Sequence, residues 1–251
     1  MRGLSFTKMQ GLGNDFVVLE GPLELSSEEI AQLCDRRFGV GADGVLVISN
    51  GDPIRMEYWN ADGSPAEMCG NGLRCVARYA YDRGWASDRN FSVQTPVGVT
   101  GVRVLEDGIE VELARPVVTG HTTIDHERYH LVDTGNPHAV VMVDDPATAR
   151  VSVTGPRVET DPQFPNRTNV EFVSVGDDGV TMRVWERGVG ETLACGTGMV
   201  AAAFVATKTH KLDGPIAVRA PGGVAQVELR DGVAWLRGPA EYSFRGSVGE
   251  R

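Results

Sequence analysis

Five residues in one half of the chain recur in the other half at a constant separation. Met56, Trp59, Cys69, Gly70 and Gly72 are matched by Met182, Trp185, Cys195, Gly196 and Gly198, each 126 positions further on. Other pairs follow in the same order at nearly the same separation: Gly13-Asn14 with Gly135-Asn136, Pro96 with Pro221, and Asp107-Gly108 with Asp231-Gly232. One such pair would mean little, but a colinear series marks a duplicated structural unit. The duplication restricts the fold to two similar halves, each with one cysteine set before a Gly-rich helix start. Two equivalent thiols that can face each other across a pseudo-twofold axis suit a reaction in which a proton leaves one face of a carbon and another arrives on the opposite face.

A chain of 251 residues can bury a sizeable core, and its length fits one large or two modest domains. The repeat decides for two, over 1–116 and 117–239, with Ala114-Arg115-Pro116 as the linker and a C-terminal strand over 240–251 that can return to the first half. With 34 acidic against 24 basic residues the net charge is -10, which opposes binding to nucleic acid or to an anionic membrane surface. No apolar run approaches the roughly 18 residues of a membrane span, and Met1 to Gln10 lacks the apolar stretch of a signal peptide. The expectation is a cytoplasmic protein. In a reducing compartment Cys34, Cys69, Cys75 and Cys195 are read as free, catalytic or metal-binding, in preference to a disulfide framework.

β-Branched runs mark strands at Phe16 to Leu19, Val45 to Ile48, Val99 to Leu105, Ile109 to Leu113, Ala139 to Val143, Thr168 to Val175, Thr181 to Trp185 and Val224 to Leu229. Asp107-Gly108, Asp178-Gly179 and Asp231-Gly232 read as hairpin turns between such runs, so much of the sheet is expected to be antiparallel. Helices are few. One starts at Ser26, which forms an S-x-x-E capping box with Glu29, and is expected to run to about Arg37. A second follows Cys69, with Leu73, Val76, Ala77 and Ala80 on one face and its end at Gly84. The third follows Cys195, and its stretch Met199 to Ala206 is apolar almost all round, which marks a buried helix. Each half is therefore expected to wrap its sheet around the helix that its cysteine starts.

Cys69-Gly70-Asn71-Gly72 and Cys195-Gly196-Thr197-Gly198 each put a thiol where unpaired N–H groups and the positive end of the helix dipole favour thiolate. Glycines beside the sulfur leave the amides open, so the same helix end can hold a carboxylate. A single C-G-x-G is as readily a buried small residue beside a turn; two at matched positions are read as acid and base. Arg187 offers a planar fork for a carboxylate, and Asn amides both donate and accept around a zwitterionic amino acid. Cys34 and Cys75 lie outside the pattern and are read as packing residues. No metal motif is present, and Gly39-Val40-Gly41 and Gly188-Val189-Gly190 lack the rest of a dinucleotide fingerprint.

The segments Gly11-Leu12-Gly13-Asn14-Asp15-Phe16, Asn60-Ala61-Asp62-Gly63-Ser64 leading to Cys69-Gly70-Asn71-Gly72, Gly135-Asn136-Pro137-His138, and Glu186-Arg187-Gly188 leading to Ala194-Cys195-Gly196-Thr197-Gly198 together resemble the diaminopimelate epimerase family, in that family's order and over nearly the whole chain. The resemblance implies an α/β (α+β) fold of two pseudo-symmetric domains, each a mostly antiparallel sheet around a central helix. It implies an isomerase free of pyridoxal phosphate, with no cofactor and no metal, that interconverts LL- and meso-diaminopimelate for lysine and peptidoglycan precursors. Cys69 and Cys195 become the acid and base, and His138 and Glu186 the residues that tune them. Asn14, Asn60, Asn136, Asn169 and Arg187 become substrate contacts, with backbone contacts at Gly70, Asn71, Glu186, Gly196 and Thr197. The expected partner is diaminopimelate, and a homodimer is compatible with the resemblance. One departure stands out, because Gly44 occupies a segment where some members carry a substrate-contacting Gln. Three alternatives remain open at this point: a racemase of another amino acid on the same scaffold, the related isomerases that lack the cysteines, and a non-catalytic amino-acid-binding or thiol redox module.

Overall fold

The repeat seen in the sequence is a repeat of strand order and strand sense. A computed structural model describes residues 3–66 and 68–249. The chain divides into two units, Met1–Val111 with Gly238–Arg251, and Glu112–Arg237. In the first, the elements are β1 (Ser5–Gly11), β2 (Asn14–Glu20), α1 (Ser27–Cys34), β3 (Gly44–Ser49), β4 (Ile54–Asn60), α2 (Gly70–Asp82), β5 (Asn90–Thr95), β6 (Gly98–Leu105) and β7 (Gly108–Leu113). In the second they are β8 (Val117–Ile124), β9 (Glu127–Asp133), β10 (Pro137–Met142), α3 (Val151–Glu159), β11 (Asn169–Gly176), β12 (Gly179–Glu186), β13 (Gly190–Thr192), α4 (Gly196–His210), β14 (Ile216–Ala220), β15 (Gly223–Arg230) and β16 (Val233–Gly238). The last strand, β17 (Glu241–Ser247), pairs with β1; residues 250–251 lie outside the described residues.

From β17 through β1, β2, β3, β4, β5 and β6 to β7, successive pairings are antiparallel, antiparallel, parallel, antiparallel, parallel, antiparallel and antiparallel. From β8 through β9, β10, β11, β12, β14 and β15 to β16 the same series recurs. This is the mostly antiparallel, two-fold repeated α+β architecture expected from the sequence. The Asp-Gly pairs turn the chain as expected: Asp231 and Gly232 both have positive φ, 51° and 80°, the primed-turn geometry whose twist suits a hairpin. Ala114 to Pro116 is irregular, between β7 and β8.

Each sheet is covered on both faces, which explains why strands such as Val45–Ile48 read as unbroken apolar runs. Val17, Leu19, Val45 and Val47 pack with Ile30 and Leu33 of α1, while α2 lies against β1 to β4 and β6 with Leu73, Val76, Ala77 and Ala80 fully buried. In the second unit Ala139, Val141, Val170 and Phe172 pack with Val151 and Val158 of α3. There α4 is shielded on all sides from Gly198 to Ala203 by β9 to β12, β14 and β15. Burying each such valine or leucine contributes about 1.5–3 kcal/mol.

Two helices differ from expectation. The capping box at Ser26 and Glu29 is formed, but α1 stops at Cys34 instead of Arg37. Asp35 turns to an extended conformation and its Oδ1 accepts the N–H groups of Arg37 and Phe38, both at 2.7 Å, a local bond that competes with another helical turn. The sequence reading also has no counterpart of α3. Pro156 and Gly155 lie inside it, so propensity argues against a helix. Tertiary packing decides for one, since a Cβ at Gly155 would stand 2.5 Å from Trp185 Cγ.

Candidate active site

Both cysteines of the repeat cap their helices in extended conformation, Cys69 at φ -143° and ψ 109° and Cys195 at φ -114° and ψ 117°. Each sulfur therefore stands beside the first turn, where backbone N–H groups have no intrahelical acceptor. All four cysteines are free thiols.

In the first unit, the Gly72 N–H donates to Cys69 Sγ at 3.3 Å, a contact that favours thiolate. The thiol itself donates to Asn14 Oδ1 at 3.3 Å, and Asn71 Nδ2 donates to the same oxygen at 3.4 Å. Asn14 Nδ2 donates to Asp43 Oδ2 at 2.8 Å. Behind Asn14 lies an ionic cluster in which Arg36 bridges Asp15 and Asp43 at 2.7 and 2.6 Å, and Lys8 meets Asp15 at 2.5 Å. Asn60 ends β4 and donates to Ser64 Oγ at 3.0 Å. Gly44 is required by its surroundings, since a Cβ there would stand 2.5 Å from the Trp59 carbonyl oxygen and 2.7 Å from Tyr58 Cε2. A Gln has no room at that position.

In the second unit, Cys195 Sγ lies 3.4 Å from Thr197 Oγ1, and the Glu186 carboxylate accepts from the Thr192 hydroxyl. His138 bridges Glu171 Oε1 and Asn136 Oδ1, at 2.6 Å from Nδ1 and 2.9 Å from Nε2. A Cβ at Gly198 would stand 2.8 Å from Glu171 Oε1, so that carboxylate lies against the start of α4. Burial, then the charge of Glu186, push the Cys195 thiol well above its ordinary value, with Glu171 adding in the same sense and Thr197 and the Gly198 N–H opposing. Burial likewise pushes Glu186 up. Asn169 anchors the Arg187 turn, its Oδ1 accepting the Arg187 N–H at 2.9 Å and its Nδ2 donating to the Pro137 carbonyl at 3.0 Å. The exposed Arg187 guanidinium touches the Asn166 carbonyl at 3.3 Å, which leaves most of its fork open. Glu159 clamps the same turn by accepting from Trp185 Nε1 and the Gly188 N–H at 2.7 and 2.8 Å.

The structure thus joins Asn14, Cys69 and Asn71 in one bonded group, Asn136 with His138 in a second, Cys195 with Thr197 in a third, and Asn169 with Arg187 in a fourth; Glu186 acts on Cys195 through its charge. Sequence reasoning missed Asp43, Arg74, Glu159 and Glu171. For Glu171 a signal existed, a lone carboxylate within the apolar run Asn169–Val175, where burial without a purpose is costly. Cys34 and Cys75 behave as packing residues, buried and with thiols pushed by that burial to about 11 and about 12. Among the described residues no group of three or more His, Cys, Asp or Glu is placed to hold a metal ion. Among them too, no helix is long and apolar enough to cross a membrane.

The model of the diaminopimelate epimerase family matches residues 6–119 and 130–242. A diaminopimelate epimerase of Leptospira biflexa is 37% identical over 98% of this chain and 99% of its own, and one of Desulforudis audaxviator 41% over 97% and 98%. Solved structures share the fold at lower identity. A phenazine biosynthesis protein of the PhzF family from Bacillus anthracis superposes with a TM-score of 0.76 at 16% identity, covering 99% of both chains. A hydroxyproline epimerase from Agrobacterium vitis gives 0.75 at 13%, covering 98% of this chain and 92% of its own.

Proposed function

This chain belongs to the diaminopimelate epimerase family, and on that premise we propose that it interconverts LL- and meso-diaminopimelate by a two-base exchange between Cys69 and Cys195. The observation that carries the mechanism is the duplicated cap: one cysteine per unit, each at the N-terminus of a buried helix. One sulfur, as thiolate, takes the α-proton, and the other, as thiol, delivers a proton to the opposite face. The C–H bond electrons remain on the α-carbon until the second S–H supplies its proton, so the carbanion needs electrostatic support. The first-turn amides of the two helices, at Gly70, Asn71, Gly196 and Thr197, offer that support by holding the α-carboxylate at a helix N-terminus. Arg187, with its open fork, takes the distal carboxylate together with the Asn14, Asn60, Asn136 and Asn169 amides, which fixes the reacting carbon. His138 and Glu186 set the protonation of the Cys195 side.

With that reading go a cytoplasmic location, where free thiols persist, and a homodimer. Incubation with pure LL-diaminopimelate under reducing conditions, followed by chiral chromatography, tests the activity: accumulation of the meso isomer supports it. Turnover of proline or hydroxyproline with none of diaminopimelate contradicts it. Light scattering on the eluted peak decides the dimer.

A further inference from the structure

Among the described residues Arg74 heads the large side chains with no exposed surface. Buried guanidinium groups ordinarily face a carboxylate, because an unpaired charge loses its hydration for nothing. Among the described residues no carboxylate pairs with this one. It lies in the second turn of α2 and reaches back toward the helix start, donating to Asn71 Oδ1 at 2.8 Å, to the Pro239 carbonyl at 3.0 Å and to the Gly70 carbonyl at 3.4 Å. Two glycines make room for it. A Cβ at Gly11 would stand 3.1 Å from its Nη2, and one at Gly238 would stand 3.1 Å from its Nε.

The chemistry of the partners fixes the sense of the hydrogen bonds around Cys69. A guanidinium only donates, so Asn71 must turn its oxygen to Arg74 and its nitrogen to Asn14. At the other end the Asp43 carboxylate only accepts, so Asn14 must turn its nitrogen to Asp43 and its oxygen to Asn71 and the sulfur. Cys69 therefore meets an acceptor when it is a thiol, and the Gly72 N–H with a buried cation nearby when it is a thiolate. Both protonation states are held in one place. Among the described residues, the charged and titratable groups at this helix start include Arg74 itself, the thiols of Cys69 and Cys75, and, beyond Asn14, the cluster of Asp43, Arg36, Asp15 and Lys8. Burial lowers the Arg74 pKa to about 10, and the two neighbouring sulfurs, once ionised, work against that fall. The repeat does not copy the device, since 126 positions on stands Val200, and the cysteine of that half faces carboxylates.

We propose that Arg74 is a positioning residue for the Cys69 half of the reaction, fixing the amide polarity of Asn71 and Asn14 beneath the sulfur and supplying the buried positive charge against which Cys69 ionises. The catalytic part of this role rests on the reading of Cys69 as one of two acid–base thiols.

The rate of iodoacetamide alkylation of the full-length protein, followed against pH on the Cys69 peptide by mass spectrometry, reads the proposal without reference to turnover. Arg74→Gln should raise the midpoint by roughly one unit and slow alkylation at neutral pH roughly tenfold. Arg74→Lys keeps the charge and loses the fork, so its midpoint should stay near that of the wild type while kcat on diaminopimelate falls roughly tenfold with little change in KM. A folded Arg74→Gln protein whose Cys69 titrates as in the wild type overturns the proposal, and so does Arg74→Lys with unchanged kcat. Should circular dichroism show that neither variant folds, Asp43→Asn tests the amide relay from its exposed end. There a slower Cys69 reaction and lower kcat support the proposal, and wild-type behaviour in both overturns it. Wild-type protein that shows no epimerisation yet an Arg74-dependent Cys69 titration defeats the functional reading alone.

Discussion

Nδ1 of His138 lies 2.6 Å from Oε1 of Glu171, and neither side chain has any exposed surface. Nε2 of the same ring meets Asn136 Oδ1 at 2.9 Å, and that oxygen also accepts the Thr134 hydroxyl at 3.0 Å, so the imidazole is held from both sides. The Cys195 half of the site places two carboxylates, Glu186 and Glu171, where both oppose an anion on the sulfur.

Removing either carboxylate should lower the pH at which Cys195 ionises, because the repulsion that disfavours its thiolate is lost. Glu186→Gln should act more strongly than Glu171→Gln, following the order of the two charges in raising Cys195. Alkylation of the Cys195 peptide as a function of pH measures both shifts. An upward or absent shift in Glu186→Gln contradicts this account of the site.

Cys75 has no exposed surface and its thiol is pushed up to about 12, so it should be silent in catalysis. Cys75→Ala is expected to cost about 1 kcal/mol, a fall of about 2–4 °C in Tm for a chain of this size, with kcat/KM unchanged. Calorimetry beside a turnover assay checks both halves, and a large loss of activity at unchanged Tm would show that packing is the wrong reading.

Much of this was legible in the sequence for a physical reason. Duplication left Met56, Trp59 and the two C-G-x-G helix starts at a fixed offset, and strands covered on both faces wrote themselves as β-branched runs. Helix α3 was not legible, since Gly155 and Pro156 speak against a helix that Trp185 and the sheet impose. The cysteines were legible through their helix-start glycines. Glu171 left a trace in the sequence as a lone carboxylate within a strand, whereas Arg74 left none, because its meaning lies in burial, and burial of an isolated charge on a helix is a property of the fold, not of a local pattern.

Arg187→Lys keeps a charge but loses the bidentate fork for the distal carboxylate. A fall in kcat/KM of at least roughly tenfold, equal to about 1.4 kcal/mol, is expected, with the alkylation behaviour of both cysteines intact. Unchanged steady-state kinetics on diaminopimelate would remove Arg187 from substrate recognition.

A mechanism that needs one thiolate and one thiol at the same moment gives a bell-shaped dependence of kcat/KM on pH. The acid limb reports protonation of the base and the alkaline limb loss of the acid, and both apparent pKa values belong to the pair. A profile that climbs to a plateau without an alkaline fall is incompatible with two thiols.

The destination of the proton tests the two-base claim most directly. Pure LL-diaminopimelate is allowed to react in deuterated water and the reaction is stopped early. Because the sulfur that takes the substrate proton is not the one that supplies the product proton, each new meso molecule should carry solvent deuterium while the remaining substrate stays largely unlabelled. Cys69→Ala and Cys195→Ala should each abolish epimerisation. Early meso product that retains the original proton, or near-normal turnover in either variant, would contradict the exchange between Cys69 and Cys195.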